Sequence, residues 1–453
     1  MVAYALTVEA PPEDVNDHTG HGAETVDADH TFYWHHAGST SYFHSSVGPL
    51  LGGLGAVQDR NIDLVRIAAA VLAADRSQSR SGSLSRWNRR EFDLHVDVLE
   101  AEVWERVGDR LGTLLGFLTG DQWRLQFHTR HGPTETIATV GIDASRVVLL
   151  SGGADSASGA LLSARELAGR NEQQILVSHW SSTNLSPVQS EIASRIEELV
   201  PSSTADHVKV NLARGRTAPT RAHYGRENST RSRSLLFIAL GLAVASAHRV
   251  PLWLPENGYA SINPPLSRSR RGSLSTKTTH PKFLSDLADI LARVGAHHDV
   301  INPYASWTKG EMFSAVRNKV GADTASEYLS ATSSCSHSGT RSWGFSPNVA
   351  CGECFGCVLR KASFLAAGLT DTTPYFSPTT PAQIAWLAER SVLPAMRDFL
   401  NEPFGERDLL PLQIPPALRL ADVAALCQRG RSELRAAVGV STDRPGEEPA
   451  RVP

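Results

Sequence analysis

A short apolar run that leads directly into two adjacent glycines constrains this chain more than any other stretch. Val147–Leu150 has the composition of a strand buried on both faces, and the letters Ser-Gly-Gly-Ala-Asp-Ser follow at 151–156. Adjacent glycines can adopt positive φ angles and bring backbone N–H groups close to a ligand. The small-residue helix predicted next points its positive end at the same place. The stretch therefore predicts a phosphate-sized anion site, which is not of the Walker type because no Gly-Lys-Ser/Thr follows.

Strand and helix patterns alternate from Arg146 onward. Buried strands are predicted at Ile175–Val177 and Pro251–Leu254, and helices at Ser186–Val200 and Arg231–Ala247. This order implies right-handed βαβ units, and so an α/β fold with a parallel sheet and helices on both faces. Ligands bind such sheets at the carboxyl ends of the strands, which is where the glycine pair lies.

The length of 453 residues predicts about two to three domains. Residues 1–145 combine helical patterns such as Leu64–Ala74 with the alternating strand Glu91–Leu99, which predicts an α+β domain of unknown role. Residues 146–365 form the predicted α/β domain. Residues 366–453 carry weak helical patterns and end in a tail rich in Pro, Glu and Arg, which is predicted to be disordered.

Composition gives no sign of non-specific nucleic-acid binding or of membrane insertion. Charged residues make up 20% of the chain and the formal net charge is -3, so no global basic excess predicts non-specific nucleic-acid binding. The chain does not begin with a basic segment and an apolar core, and its longest apolar run, Leu235–Ala247, is too short to span a bilayer. We therefore expect a soluble, cytoplasmic protein that does not enter a membrane.

Four of the five cysteines lie close together in the chain. Cys351, Cys354 and Cys357 have the two-residue spacing of a metal-binding knuckle, and Cys335 supplies a fourth thiolate. Four thiolates with no open position predict a structural, tetrahedral Zn²⁺ site. An iron–sulfur cluster is the alternative, because four cysteines also suit iron. Cys427 stands apart and is predicted to be a core residue.

Arginine is concentrated in one segment of an otherwise slightly acidic chain. Arginines near strand ends are good partners for phosphate or carboxylate groups. The arginines of this segment are Arg214, Arg216, Arg221, Arg226, Arg231 and Arg233. Histidines near the N-terminus fit no metal-ligand spacing and are predicted to lie in loops or on the surface; they are His18, His21, His30, His35, His36 and His44.

The glycine motif followed by the cysteine knuckle resembles the QueC family, the 7-cyano-7-deazaguanine synthases, in which Ser-Gly-Gly-x-Asp-Ser is the PP-loop. Thr308-Lys309-Gly310-Glu311 is similar to that family's Thr-Lys-x-Glu stretch. Arg231 and Arg233 resemble its arginine before a Leu-rich helix. The resemblance covers residues 146–365, and the cysteine knuckle is its most specific part.

The resemblance implies a Rossmann-like adenine-nucleotide α-hydrolase sheet. It implies an enzyme that activates the carboxylate of 7-carboxy-7-deazaguanine with ATP, releases pyrophosphate and forms an amide, which a second ATP converts to a nitrile. Mg²⁺ would accompany ATP, and the zinc would be structural. The expected ATP-binding residues are Ser151, Gly152, Gly153, Ala154, Asp155, Ser156 and Arg231. The expected catalytic residues are Asp155, Ser156, Lys309 and Arg233, with Asp155 also a candidate Mg²⁺ ligand.

Three features depart from the family: the extra length, the wide Cys335–Cys351 gap and the unusual loop Glu256–His280. Four residues flank the predicted strand Pro251–Leu254 and are candidates for recognising the edge of a deazapurine ring. They are Glu256, Asn257, Asn263 and His280. The long form is more similar to the QueC-like proteins of bacterial anti-phage systems of the Qat type. That likeness implies that the activated deazaguanine is passed to an amine, on a partner protein from the same defence operon.

Alternative functions stay open at this point. They are a housekeeping synthase of queuosine biosynthesis, a PP-loop tRNA-modifying sulfur transferase, and a non-catalytic nucleotide-sensing protein with a zinc ribbon. The sequence does not decide whether the chain contacts nucleic acid or forms a homodimer.

Overall fold

The computed structural model describes residues 1–8, 27–34, 43–45, 51–80, 89–130, 143–180, 185–215, 224–227, 231–264, 277–336, 343 and 349–439. The chain divides into two compact units. Unit 1 comprises Met1–Gly152, Gly159–Glu256 and Thr276–Pro303, and unit 2 comprises Gly153–Ser158, Asn257–Ser275 and Tyr304–Pro453. Among the helices of the described residues, none is long and apolar enough to cross a membrane.

Strands and helices alternate through much of the chain. The strands are β1 (Val2–Thr7), β2 (His30–Tyr33), β3 (Phe43–Ser45), β4 (Glu91–Val98), β5 (Gln122–Thr129), β6 (Arg146–Leu149), β7 (Gln174–His179), β8 (Thr204–Val210), β9 (Leu212–Arg214), β10 (Leu252–Trp253) and β11 (Val300–Ile301). The helices up to the last strand are α1 (Asp59–Ser77), α2 (Ala101–Glu105), α3 (Gly108–Thr119), α4 (Ala154–Ala168), α5 (Leu185–Leu199), α6 (Arg233–His248), α7 (Gly258–Ile262) and α8 (Pro281–Val294). The later helices are α9 (Lys309–Val320), α10 (Ala322–Ser330), α11 (Phe355–Ala366), α12 (Pro381–Ala388), α13 (Leu393–Asn401), α14 (Glu406–Leu409) and α15 (Leu420–Val438).

The N-terminal sheet of unit 1 has the strand order β2-β1-β4-β5, and every neighbouring pair is parallel. This part of the chain is therefore α/β, and the expectation of an α+β domain is wrong. The misleading signal was the alternation in β4, where Phe92, Leu94 and Val96 are buried between more exposed polar residues. Such alternation is typical of antiparallel sheets with one solvated face, but it does not determine strand direction.

The second sheet of unit 1 confirms the predicted parallel arrangement. Its order is β11-β10-β6-β7-β8 with all pairs parallel, so β6 is the central strand. All four residues of β6 are buried, as its apolar composition predicts. The turn at 151–156 thus follows the middle strand of the sheet. A separate antiparallel ribbon pairs β3 with β9.

One hydrophobic core serves both sheets of unit 1, and it includes most of α1 and α6. Gly241 lets α6 approach the second sheet, because a Cβ at this position would lie 2.6 Å from a methyl carbon of Leu149 and 2.8 Å from one of Leu252. The boundary expected between residues 145 and 146 therefore lies inside a compact unit.

Unit 2 is helical, and its C-terminal helices are part of its core. Leu426 and Leu434 of α15 belong to the same buried cluster as Val358 and Leu359 of α11. The residues beyond 366 therefore complete this unit, at least as far as residue 439. Cys427 is fully buried in the same cluster, which confirms its predicted core position.

Parts of several predictions lie outside the described residues. They are the C-terminal tail from residue 440, loop residues 265–276, and the side chains of Arg216, Arg221, His18, His21, His35, His36 and His44.

Candidate active site and metal centre

The turn after β6 has the predicted strand–turn–helix form. Gly152 adopts φ +90°, a conformation that residues with a Cβ rarely take. The Gly153 carbonyl accepts hydrogen bonds from the Ala157 N–H at 3.0 Å and from the Ser156 hydroxyl at 3.0 Å. These bonds form the first turn of α4, so Asp155 lies in that turn at the positive end of the helix.

Asp155 is the centre of a buried polar cluster in unit 2. Its Oδ2 lies 2.8 Å from the Lys309 Nζ, and its Oδ1 accepts a hydrogen bond of 3.0 Å from the Asn257 side-chain amide. Only 12% of the Asp155 side chain and 5% of the Lys309 side chain are exposed. A buried charge is tolerated when it is paired and hydrogen-bonded, and both carboxylate oxygens meet this condition.

Local structure orients the Asn257 amide. Asn257 is the N-cap of α7, and its Oδ1 accepts the Ala260 N–H at 2.8 Å, which leaves its NH₂ group to donate to Asp155. Gly258 follows because a side chain there would overlap the Ala305 carbonyl oxygen. The sequence suggested Asn257 only as a reader of a base edge, whereas the structure places it on the carboxylate of the glycine motif.

A capping box presents Lys309. The Thr308 hydroxyl accepts the Glu311 N–H at 3.1 Å, and the Glu311 carboxylate accepts the Thr308 N–H at 2.8 Å. Lys309 is the first residue of α9, where the helix dipole already carries positive charge. The Lys309 side chain adds its charge to the positive end of the helix dipole. Asp155 is the anion that pairs with this charge.

Glu433 of α15 contacts the turn that carries Lys309, and the sequence did not predict this role. It accepts hydrogen bonds from the Thr308 hydroxyl and, at 3.2 Å, from the Gly310 N–H. Gly310 leaves room for it, since a Cβ there would lie 2.5 Å from a Glu433 oxygen. The pKa of Glu433 is raised to about 7, chiefly by burial and also by neighbouring Glu311, against the two hydrogen bonds, which lower it. No local pattern marks Glu433, because its role depends on contacts far along the chain.

The four clustered cysteines converge as predicted. Their sulfur atoms all lie within 4.8 Å of one another, and the Sγ atoms of Cys351 and Cys357 are 3.9 Å apart. Thiolates bound tetrahedrally to one Zn²⁺ are about 3.8 Å apart, given Zn–S bonds of ~2.3 Å. The donor set and its spacing therefore fit a zinc ion, which Cys335, Cys351, Cys354 and Cys357 could hold.

Backbone hydrogen bonds prepare two of these sulfurs. The Cys351 N–H donates to the Cys335 Sγ at 3.3 Å, and the Cys354 N–H donates to the Cys351 Sγ at 3.3 Å. Hydrogen bonding among the four sulfurs lowers the pKa of Cys351 to about 7 and lowers that of Cys354, whereas it raises the pKa values of Cys335 and Cys357. Metal ions bind the thiolate form, so zinc binding would release the protons that these close thiols share.

A glycine and a buried arginine bring Cys335 to the other three cysteines. A Cβ on Gly356 would overlap the Ser334 carbonyl oxygen, so only glycine allows this close approach. Arg360 of α11 is 1% exposed and donates to the Leu329 carbonyl at 2.6 Å and to the Thr332 hydroxyl at 2.7 Å. It thereby ties the end of α10, just before Cys335, to the helix that carries Cys357.

Four of the other predicted site residues belong to unit 1. Ser151 and Gly152 belong to unit 1, as do Arg231 and Arg233. The Arg231 guanidinium donates to the Thr119 carbonyl at 2.9 Å. Arg233 begins α6, and burial lowers the pKa of its side chain, as it does for Arg231.

Two of the loop residues that flank β10 have local roles. Asn263 ends α7 in the left-handed conformation, and its N–H donates to the Tyr259 carbonyl at 3.2 Å. His280 caps α8, where its Nδ1 accepts the Lys282 N–H at 3.1 Å.

Comparison with known proteins adds no relative. No protein-family model matches this chain, and no curated protein matches it either.

Proposed function

We propose that this chain is an ATP-dependent ligase of the QueC type. It adenylates a 7-deazaguanine carboxylate, with cleavage of ATP to AMP and pyrophosphate, for amide or nitrile formation or for conjugation to an amine in anti-phage defence. In this proposal the β6 sheet is a Rossmann-like PP-loop sheet. The observation that carries it is the 2.8 Å contact between Asp155 of the glycine motif and Lys309 of the Thr-Lys-x-Glu stretch. Two motifs that were identified separately in the sequence meet at one point.

The proposed reaction suits these groups. A carboxylate is a poor electrophile, so its oxygen first attacks the α-phosphorus of ATP, and the bond to pyrophosphate breaks. An amine then attacks the acyl carbon, AMP leaves, and the nitrogen loses a proton. Negative charge accumulates in the first step, and the positive end of α9 together with Lys309 would stabilise it.

Asp155 also fits a role toward Mg²⁺, which would neutralise phosphate charge when bound with ATP. A carboxylate has about four lone-pair positions, and Lys309 and Asn257 occupy one on each oxygen. Positions therefore remain on this carboxylate for a cation. Lys309 would then be free to pair with a phosphate instead of with Asp155.

The cysteine site supports a structural zinc within this proposal. Sulfur atoms within 4.8 Å of one another leave room for one ion but little room for a cluster of several irons and sulfides. Four protein ligands leave no open position for catalysis. We expect metal analysis to find one zinc ion per chain. We also expect the visible spectrum to show no iron–sulfur absorbance.

The sulfur-transferase alternative is less well supported. Such an enzyme needs a redox-active cysteine pair or an iron–sulfur cluster, and Cys427 is the one cysteine of the sequence outside the four-cysteine site. It is fully buried, and burial raises its pKa to about 12. A thiol of this kind is a poor nucleophile at neutral pH.

The test is release of pyrophosphate and AMP from ATP by the full chain with 7-carboxy-7-deazaguanine. We expect release that depends on the carboxylate, and a loss of at least about 100-fold in Asp155→Asn and in Lys309→Met. The double variant Asp155→Asn/Lys309→Met separates catalysis from folding, because it leaves no unpaired buried charge. Asp422→Asn, at a residue of α15 whose side chain is 61% exposed, is the matched control.

Two results would count against the proposal. One is the absence of pyrophosphate release with every deazaguanine carboxylate tried. The other is an Asp155→Ala protein that binds ATP normally and keeps its biological effect, which would indicate a nucleotide sensor.

A further inference from the structure

Four arginines of unit 1 lie where the ends of several elements converge. We call Arg76, Arg214, Arg226 and Arg233 the arginine cluster. Arg76 is in the last turn of α1, Arg214 ends β9, and Arg233 begins α6. Arg226 belongs to the short segment 224–227.

Backbone contacts hold segment 224–227 against the end of α1. The Glu227 N–H donates to the Arg76 carbonyl at 3.0 Å. Gly225 makes this approach possible, because a Cβ there would overlap the Ser77 carbonyl oxygen. The Arg214 guanidinium carbon lies 4.4 Å from the centre of the Tyr224 ring, so β9 is tied to the same segment.

The start of α6 is fixed beside the same helix end. Asp75 accepts hydrogen bonds from the Ser232 hydroxyl at 2.6 Å and from its N–H at 3.3 Å. Asp75 also pairs with Arg90, whose side chain is fully buried. The acid nearest to Arg76 in sequence is therefore already engaged by other donors.

The cluster brings several positive charges together, and Asp75 is a nearby acid that favours the charged form of Arg76. The pKa of Arg76 is lowered mainly by burial and secondly by the charge of Arg226. The pKa of Arg233 is likewise lowered mainly by burial and secondly by the charge of Arg76. Burial also lowers the pKa of Arg214 to about 10. Guanidinium groups that repel one another and are partly desolvated favour a bound anion.

Several polar atoms here lack partners. Within the described residues, the half-buried side chains of Arg76 and Arg233 make no hydrogen bond or ion pair. The Arg214 Nε and the His179 Nδ1 are buried without a hydrogen-bond partner. Buried polar atoms of this kind usually have a partner, and a bound ligand is one way to supply it.

His179 ends β7 beside β9, the strand that Arg214 ends, and the charges of Arg233 and Arg76 both act on its ring. Burial, followed by these two charges, lowers its pKa to about 4, so the ring is neutral at pH 7. Its Nε2 lies 3.3 Å from the Leu212 carbonyl, which assigns the ring proton to Nε2. The Nδ1 is then an acceptor, and it suits an anion that still carries a proton.

We propose that the arginine cluster and His179 form a binding site for a phosphate or pyrophosphate group. The guanidinium groups donate to its charged oxygens, and a P–OH group donates to the His179 Nδ1. Phosphate groups retain a titratable proton near neutral pH, whereas sulfate does not. Arg76 comes from outside the region that resembles the QueC family, so the N-terminal part of the chain contributes directly to this site.

The test uses the full chain, with calorimetric titration of pyrophosphate, orthophosphate and sulfate in the absence of ATP. We expect both phosphates to bind and sulfate to bind more weakly. Arg76→Gln should weaken phosphate binding roughly 10- to 100-fold, the range for loss of one charged hydrogen-bond donor. Arg110→Gln, at a side chain that is 57% exposed, is the matched control and should leave binding unchanged.

A melting curve without added anion distinguishes a binding role from a structural one. Because the Arg76 side chain makes no hydrogen bond or ion pair in the part of the chain that the structure describes, and burial and Arg226 disfavour its charge more than Asp75 favours it, Arg76→Gln should melt at the same temperature as the parent protein or higher. A purely structural arginine would instead lower the melting temperature and leave phosphate affinity unchanged, and that result would overturn the proposal. Equal binding of sulfate and phosphate would also overturn it. Since neither experiment involves ATP cleavage, failure here and failure of the ligase proposal are distinguishable.

Discussion

At the scale of single residues, the chemistry of unit 2 depends on pairs that are distant in the chain. Asp155 and Lys309 were each recognisable from a motif, and their 2.8 Å contact joins the two motifs. Asn257 and Glu433 belong to no recognisable motif. Asn257 nevertheless hydrogen-bonds Asp155, and Glu433 hydrogen-bonds the turn around Lys309. A residue whose role depends on a distant partner cannot be found from its own neighbourhood.

Glu433 gives a pH prediction at this scale. Its folded-state pKa of about 7 lies above the usual carboxyl value of about 4.3, so the protonated form favours folding. This stabilisation is complete below about pH 4 and is lost as the pH rises through about 7. Between pH 5 and pH 8 the free energy of unfolding should fall by about 2 kcal/mol more in the parent protein than in Glu433→Gln.

Urea denaturation at several pH values measures this difference. The charges around Glu433 are those of Glu311 and Arg429, and the Tyr259 hydroxyl is also near. Asp422→Asn, on the exposed face of the same helix, should retain the parent pH dependence. A Glu433→Gln protein with an unchanged pH profile would show that the carboxyl titrates in its ordinary range.

At the scale of elements, some helix ends coincide with residues that begin or end helices. Helix α8 occupies Pro281–Val294, where proline begins it and Gly295 ends it at φ +68°. Apolar residues recur at helical spacing from Trp104 to Leu118, yet the stretch belongs to two helices, α2 and α3, separated at 106–107. Its helical spacing of apolar residues continues across the break, so periodicity alone did not reveal it.

The cysteine knuckle supplies the prediction at the scale of elements. Gly356→Ala should force apart Ser334 and the start of α11, which separates Cys335 from the other three ligands. We expect zinc affinity, measured by competition with a chromophoric chelator, to fall by about tenfold or more. Gly405→Ala is the control, since its added Cβ would meet no atom within 4 Å. Equal zinc affinity in both variants would show that the close approach is not needed to form the site.

At the scale of the whole molecule, the compact units do not follow the order of the chain. Unit 2 takes Gly153–Ser158 from the middle of the α/β region and joins them to the C-terminal helices. The division therefore crosses helix α4. Sequence composition predicted consecutive segments, because shifts in composition mark position along the chain and not packing in space.

Metal removal should act on the two units unequally. The metal ligands and the apolar residues around them, such as Phe376 and Leu387, form a small buried cluster within unit 2. Structural zinc supplies much of the folding energy of small metal sites, so removal of the metal should destabilise this cluster first. After chelation, amide hydrogen exchange should quicken in α11 and stay slow in β4 and β5. Unchanged protection of α11 after complete metal removal would contradict this.

The sequence by itself determined the local features of this protein. Apolar runs, glycine pairs and cysteine spacing act over a few residues, so they predicted the central strand, the turn at 151–156 and the four cysteines that meet. Only the tertiary structure decided the parallel pairing of the N-terminal sheet, the Asn257 and Glu433 contacts, and the convergence of Arg76 with Arg233. These depend on free energies of packing and charge between groups far apart in the chain, which no local pattern records.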